Sequence, residues 1–145
     1  MIEVRVDTDT LSQGASGSIT GVISLFDKGW TFPESEWNDF PVVILAWWLE
    51  ALSTLSHTGK PAECLFMDGS QVLRVSLTSS GAWLVECLAS EDEEPVRIVQ
   101  VQPSAFMRSL REASRSVVHA CQVRGFQSTE VSRLAQLSLA QAAGA

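Results

Sequence analysis

The sequence predicts an α+β fold, and three patterns lead to that prediction. Two strand-like stretches open the chain, a nearly all-apolar helix follows, and four further strand-like stretches come next. Two amphipathic helices then close the chain. Strands joined by short turns pair antiparallel, and runs of strands followed by helices are typical of α+β proteins. We therefore predict a single domain over residues 1–145, in which an antiparallel sheet of about six strands packs against one buried helix and two C-terminal helices.

The first two strands are indicated by patterns of period two or by β-branched residues. Residues 2–7 alternate between aliphatic and charged side chains, which is typical of a half-buried strand. Residues 18–26 form the second predicted strand, and Gly21 within it indicates a bulge or a close approach of another segment. Residues 8–17 are rich in Thr, Ser, Gly and Asp and are predicted to form a loop.

A long connection and then a helix follow the second strand. The connection covers residues 27–39, and the helix is predicted over residues 41–56. Pro41 suits a first helical turn, and Asn38 or Asp39 is the expected N-cap. The apolar residues of this helix surround its axis, which predicts burial on most sides. Its predicted core positions include two adjacent tryptophans, Trp47 and Trp48.

Four strands and two helices make up the rest of the predicted fold. The strands cover residues 62–67, 71–78, 82–89 and 96–101. Their connections are short, and Asp68-Gly69 is a strong signal for a two-residue hairpin turn. Residues 103–123 have apolar positions at helical spacing, and Ser128 is the expected cap of a final helix.

Charge is distributed unevenly along the chain. The formal net charge is −7, with 15 acidic and 4 basic side chains in residues 1–94, and 6 basic and 2 acidic side chains in residues 95–145. Such a balance disfavours nucleic acid and anionic membranes as direct partners and favours a basic protein. Arg108, Arg111 and Arg115 share one helical face, but without interleaved aromatics this stripe is interpreted as a solvated face.

The segment of residues 30–48 is the most informative part of the sequence, because it holds four of the five tryptophans beside several carboxylates. Tryptophan is enriched at interface hot spots, although the two in the connection can equally serve to anchor that loop. The acidic run near residue 92 is a solvated turn or a patch for a cationic partner. The predicted partner-binding residues are Trp30, Glu34, Glu36, Trp37, Asp39, Glu91, Asp92, Glu93 and Glu94.

No recognised catalytic or metal-binding pattern is present. The sequence lacks a Gly-rich phosphate loop, a nucleophile-elbow serine and a pair of histidines at ligand spacing. Cys64, Cys87 and Cys121 are odd in number and have no paired spacing, which predicts buried thiols. Glu50 is expected to reach solvent, to pair with an arginine of the sheet or to contact a partner. We predict no catalytic residue, no cofactor and no metal, and the roles of Glu50, His57 and Cys121 stay open.

The sequence contains no recognisable targeting segment. Its first residues do not combine a basic region with an apolar run, so they do not form a signal peptide. The longest uncharged apolar run covers residues 40–49 and is too short to span a bilayer. These observations predict a cytoplasmic protein.

About residues 30–90 resemble one group of bacterial proteins. The resemblance lies in Trp37-Asn38-Asp39-Phe40, in Leu45 and Trp48, and in the run CLFMDG over residues 64–69. This pattern is similar to that of immunity proteins of bacterial polymorphic toxin systems, which are encoded beside secreted toxins. The resemblance implies an acidic, cytoplasmic, single-domain α+β protein that binds and blocks one toxin domain.

Three functional hypotheses follow from these observations. The first is a non-enzymatic immunity protein that binds a cognate, basic toxin domain and occludes its active site, with acidic groups steering association. The alternative is a small enzyme or ligand-binding module with a pocket between the sheet and the helices. A further alternative is an adaptor or chaperone of a secretion system. The sequence specifies neither the oligomeric state nor the activity of the toxin.

Overall fold

The computed structural model describes residues 2–90 and 94–143, with residues 140–143 described as backbone only. The described residues form two antiparallel sheets and three helices. The predicted α+β class is confirmed, but the prediction of one sheet of about six strands is wrong. The strands divide into two four-stranded sheets because the helix between them, α1 (Pro41–Thr58), packs against strands of both.

The N-terminal sheet is organised around its second strand. It contains β1 (Ile2–Gln13), β2 (Ile19–Asp27), β3 (Trp30–Phe32) and β4 (Asn38–Asp39). One edge of β2 pairs with β1, and the other edge pairs with β3 and then with β4. Sequence analysis assigned β3 and β4 to a connection, because strands of two or three residues are too short to display an alternating pattern.

β1 continues through much of the segment that was predicted to be a loop, and it does so with an irregularity. Its register against β2 shifts after Asp7, and Thr10 Oγ1 accepts a hydrogen bond from the Val22 N–H at 2.8 Å. Gly21 lies opposite this irregularity, and a Cβ at that position would lie 2.8 Å from Leu11 Cδ2. The prediction of a close approach at Gly21 is therefore confirmed.

The second sheet is the predicted meander of four strands. β5 (Ala62–Leu65), β6 (Val72–Leu77), β7 (Trp83–Leu88) and β8 (Arg97–Val101) pair antiparallel in chain order. Each strand is one to two residues shorter at one or both ends than the sequence predicts, which is the ordinary uncertainty of element boundaries.

The three helices pack together, and α1 is the most central of them. It contacts both sheets as well as α2 (Pro103–Val123) and α3 (Thr129–Ala143), which explains why apolar residues surround its axis. Trp48 is fully buried as predicted, and its Nε1 donates to the Leu65 carbonyl at 2.9 Å. The prediction that Trp47 is also buried is wrong: it is 40% exposed, because no described element covers that side of the helix.

The helical ends agree with the local signals in the sequence. Ser128 Oγ accepts a hydrogen bond from the Val131 N–H at 3.1 Å, so the predicted cap of α3 is confirmed. α2 lies along the outer edge of β1, where the Val4 N–H donates to Ser109 Oγ at 2.8 Å. This contact places α2 as a wall beside the N-terminal sheet. Among the described residues, none of the helices has the length and apolar character needed to cross a membrane.

Candidate functional site

Asp39 is the centre of a buried junction between the tryptophan segment and the turn after β5. Its Oδ2 accepts hydrogen bonds from Trp37 Nε1 at 2.7 Å and from the Met67 N–H at 3.3 Å. Its Oδ1 accepts from the Phe40 N–H at 2.9 Å. Asp39 is only 6% exposed, so this predicted partner-binding carboxylate is buried and not displayed on the surface. Asp39 is also not the helix cap, since Phe40 occupies that position.

The two tryptophans of the segment are anchored against the core. Trp37 packs edge-to-face on Phe66, with ring centroids 6.3 Å apart. Trp30 stacks on Phe32 at 5.7 Å, and the Arg97 guanidinium lies 4.8 Å above its ring. Both tryptophans are half-buried. Of the two roles left open by the sequence, these contacts account for loop anchoring and leave part of each ring accessible.

The two glutamates between these tryptophans are exposed and differ in what they face. They lie in a turn in which the Trp37 N–H donates to the Glu34 carbonyl at 3.3 Å. Glu36 lines a groove on the N-terminal sheet, whereas Glu34 lies outside the set of residues that line it. The turn therefore carries one acidic side chain towards the groove and one away from it.

The acidic loop before β8 is described only at its end. Glu91, Asp92 and Glu93 lie outside the described residues, and Glu94 is exposed. Their predicted role in partner binding stays a prediction. Trp30, Glu34, Glu36, Trp37 and Asp39 are the predicted site residues that the structure brings together.

The groove reached by Glu36 lies on the outer face of the N-terminal sheet, and we call it the sheet groove. Its volume is about 1050 Å³. Residues 2–7 of β1 and every second residue of β2 from Val22 to Phe26 line it from the sheet, and α2 forms one wall. The charged and polar side chains that line it are Glu3, Arg5, Asp7, Thr10, Ser24, Thr31, Ser35, Glu36, Arg108, Ser109, Glu112 and Ser116.

The floor of the sheet groove has a defined internal arrangement. Arg5 Nε donates to Glu3 Oε2 at 3.0 Å, and the Arg5 guanidinium lies 3.5 Å above the ring of Phe26. Both groups of this ion pair are about half exposed, so it contributes little to stability. Ser24 lies opposite Arg5 in the strand register and is 6% exposed. The arrangement orients Arg5 along the floor and neutralises its charge.

Sequence analysis did not identify the floor of the sheet groove as a candidate site. The signal was available, since the alternation that predicts β1 also places Glu3, Arg5 and Asp7 on one face of that strand. What the sequence does not contain is the position of α2, which converts an ordinary solvated sheet face into a groove. Contacts between residues far apart in the chain bring the two elements together, among them the hydrogen bond from the Val4 N–H to Ser109 Oγ.

The residues considered for a reaction centre are not assembled into one. Glu50 is partly exposed and its Oε1 accepts from Arg133 Nη2 of α3 at 2.6 Å, so its partner is a helical arginine and not one from the sheet. His57 is exposed and its Nδ1 lies 2.7 Å from the Ser53 carbonyl. Glu50, His57 and Cys121 all lie outside the lining of the sheet groove. Within residues 2–90 and 94–143, no group of three or more His, Cys, Asp or Glu side chains could hold a metal ion.

The three cysteines are buried, which confirms that prediction. Burial raises the pKa of the Cys64 thiol, and it raises that of Cys87 to about 12 although Arg97 acts in the opposite direction. Burial also raises the pKa of Cys121, with a smaller lowering by Arg124. Reactive thiols need exposure and a lowered pKa, so these side chains are suited to packing.

We expect the native protein at pH 8 to react slowly with a thiol reagent such as DTNB, and the guanidinium-unfolded protein to react fully. Unfolded thiols ionise near pH 9.0, whereas Cys87 keeps its proton up to about pH 12. The folded state therefore binds more protons between these values. The protonated, buried Cys87 thiol therefore makes its full contribution to the free energy of unfolding below pH 9. That free energy falls by about 1.4 kcal/mol per pH unit as the pH rises through this range. Fast labelling of the native protein would contradict this prediction.

Comparison of this chain with protein-family models, with curated proteins and with solved structures gives no match.

Proposed function

We propose that this protein is a non-enzymatic immunity protein that binds a cognate, basic toxin domain and occludes its active site. The observation that carries the proposal is the acidic turn of Glu34 and Glu36, which is exposed and held on a buried junction beside a large groove. An acidic surface on a rigid support fits a basic protein partner, because preorganised charges lose little freedom on binding.

The residues that carry the resemblance to immunity proteins meet at that junction. Trp37, Asp39 and Phe40 belong to the first motif of the resemblance, and Phe66 and Met67 belong to the motif over residues 64–69. In this chain, their contacts build the support for the turn. These motif residues therefore have a structural role, and the partner would contact the side chains that the junction holds at the surface.

The charge distribution supplies the proposed steering. Residues 1–94 carry a formal charge of −11, and exposed acidic groups raise the association rate with a basic partner at low salt. Reversing both charges of the turn (Glu34→Lys with Glu36→Lys) is expected to lower the association rate by about tenfold and to weaken its salt dependence. Stopped-flow measurements at two salt concentrations check this. An unchanged rate would remove the turn from the interface.

The first experiment is a pull-down from the native host with this chain as bait and mass spectrometry as readout. We expect one stoichiometric basic protein that stops growth when it is produced alone and is harmless when it is co-produced with this chain. A matched bait that carries the double charge reversal is expected to recover less of it. Recovery of the bait alone, with the product of the neighbouring gene present in the lysate, would contradict the proposal.

The alternative of a small enzyme or ligand-binding module has a different signature. The groove volume of about 1050 Å³ is at the upper end of the range for small-molecule pockets. Native mass spectrometry of the purified protein distinguishes the two hypotheses, because a tightly held small molecule favours a ligand-binding module and a protein complex favours the immunity role.

A further inference from the structure

We propose that the open edge of β8 binds an extended, uncharged strand of the toxin domain, which adds to the second sheet as a further strand. The inference rests on the proposed function and names the backbone contact that holds the partner. It follows from the direction of the backbone groups of β8, from the cover over the other sheet edges and from a groove along this edge.

The backbone groups of β7 alternate between its two neighbouring strands. In an antiparallel ladder, residue pairs that exchange two hydrogen bonds alternate with pairs that exchange none. The Thr78 N–H donates to the Ala82 carbonyl at 2.8 Å, so even-numbered residues of β7 bond to β6 and odd-numbered residues bond to β8. The Cys87 carbonyl agrees with this phase, because it accepts from the Val96 N–H at 2.8 Å.

Two residues of β8 therefore direct their backbone groups to its open edge. The odd-numbered residues of β7 pair with Arg97, Val99 and Val101, whose N–H and C=O groups belong to that ladder. Ile98 and Gln100 alternate with them, so their N–H and C=O groups point away from β7. β8 has no strand on that side within the described residues. Donors and acceptors at this spacing match one side of an extended polypeptide strand.

The other sheet edges are covered or short in the part of the chain that the structure describes. At the outer edge of β1, the Val4 N–H donates to Ser109 Oγ of α2 at 2.8 Å. At the outer edge of β5, the Leu65 carbonyl accepts from Trp48 Nε1 of α1 at 2.9 Å. β3 and β4 have only three and two residues. Natural sheets protect their edges by such cover or by short strands, and the edge of β8 has neither.

A groove of about 550 Å³ runs along the open edge of β8. Residues 97–102 form one side, and Ile2, the turn at Lys28 and the start of α2 form the other. Asp27 and Arg97 in its lining neutralise each other, with Arg97 Nε 2.9 Å from Asp27 Oδ2, and Lys28 is exposed. An uncharged segment therefore suits the interior of the groove, because charged groups lose more hydration on burial.

The position of this edge favours the toxin as the source of the strand. The Arg97 guanidinium of β8 lies 4.8 Å above the ring of Trp30, in the segment that leads to the acidic turn of Glu34 and Glu36. The edge thus adjoins the surface that the proposed function assigns to the toxin. A domain steered by the turn has the edge of β8 beside it.

A second copy of this chain is a poorer occupant than a toxin strand. The side chains of Val99 and Val101 already pack against the core, so β8 of another copy has none to place in the groove. Each copy also carries a net charge of −7, which opposes self-association. A strand with free apolar side chains on one face meets neither obstacle.

The test uses a blocked peptide of alternating valine and threonine, about as long as β8, titrated into ¹⁵N-labelled protein. We expect amide shifts to change at Lys28, Ile98 and Gln100. The Ile98 and Gln100 amides are expected to exchange with solvent at least about tenfold more slowly in the complex. Unchanged exchange at both amides at the highest soluble peptide concentration, or shift changes confined to other surfaces, would overturn the assignment.

The chain offers a matched pair of variants at one position of the edge. Gln100→Pro removes an outward N–H and spares the ladder with β7, a place where edge strands tolerate proline. Gln100→Thr keeps that N–H. We expect proline to weaken peptide binding about tenfold and threonine to change it by less than about threefold. Equal affinities of the two variants would contradict the proposed backbone contact, and the exchange measurement on the unchanged chain does not depend on either variant.

The outcomes separate this inference from the proposed function. A recovered toxin that binds Gln100→Pro as tightly as the unchanged chain would overturn the strand contact and leave the immunity role supported. A pull-down without a toxin would contradict the immunity role, whereas the peptide titration still tests the edge. Light scattering that shows a dimer of the unchanged chain and a monomer of Gln100→Pro would assign the edge to a second copy and overturn the toxin strand.

Discussion

Replacing Asp39 with alanine is expected to lower the free energy of unfolding by about 3 kcal/mol. The carboxylate is buried and accepts from Trp37 Nε1, from the Phe40 N–H and from the Met67 N–H. Alanine would leave these three part-buried donors without their acceptor, and donors that lose their partner away from bulk water are costly. Denaturant unfolding followed by tryptophan fluorescence measures the change.

Asp68→Ala is the matched control for this substitution. Asp68 is exposed, and within the described residues its Oδ1 accepts from the N–H and hydroxyl of Ser70, two residues along the chain. We expect a loss below about 1 kcal/mol there. Equal losses for the two alanine variants would mean that the Asp39 junction contributes no more than a local turn. Asp39 is therefore also unsuitable for charge reversal in a binding experiment, because unfolding would be mistaken for lost affinity.

Replacing Phe66 with alanine is expected to cost about 3–5 kcal/mol, the largest effect predicted for a single side chain. Phe66 is fully buried, and its ring contacts three other aromatic rings edge-to-face. The centroid of Trp48 lies at 5.3 Å, that of Phe32 at 6.0 Å and that of Trp37 at 6.3 Å. Truncation would leave a cavity among large rigid rings that cannot collapse to fill it.

Phe26→Ala is the control of identical chemistry. Phe26 lies on the groove floor beneath Arg5 and is half-buried, so its removal opens no enclosed cavity. We expect a loss near 1 kcal/mol from chemical denaturation. Near-equal values for the two phenylalanines would indicate that Phe66 does not organise the aromatic cluster.

Local patterns in the sequence predict most of the helices and strands. The bounds of α2, the Ser128 cap and the meander β5–β8 all follow from periodicity, capping and turn residues, which act over a few neighbouring residues. β3 and β4 are not predicted by these local patterns, because they form by pairing with β2 and their own residues show no strand-like alternation.

The candidate site is predicted less well for the same reason. Glu34 and Glu36 are exposed in a turn. Asp39 is buried, although it is an acidic residue of the same segment and lies only three positions after Glu36. The difference lies in the Met67 N–H, which reaches Asp39 from 28 residues along the chain. Trp47 and Trp48 present a similar case: adjacent residues of one type on one helix have opposite exposure because neighbouring elements cover only one side.

By itself, the sequence determined the α+β class, the acidic surface, the buried thiols and the order of the elements. These depend on local hydrophobic periodicity and on composition, which a single chain displays directly. Only the tertiary structure decided that there are two sheets, that Asp39 is buried and hydrogen-bonded beneath the turn, and that α2 makes a groove of the outer face of the N-terminal sheet. Each of these depends on contacts between residues far apart in the chain, and no local pattern records which distant segment will supply a neighbour.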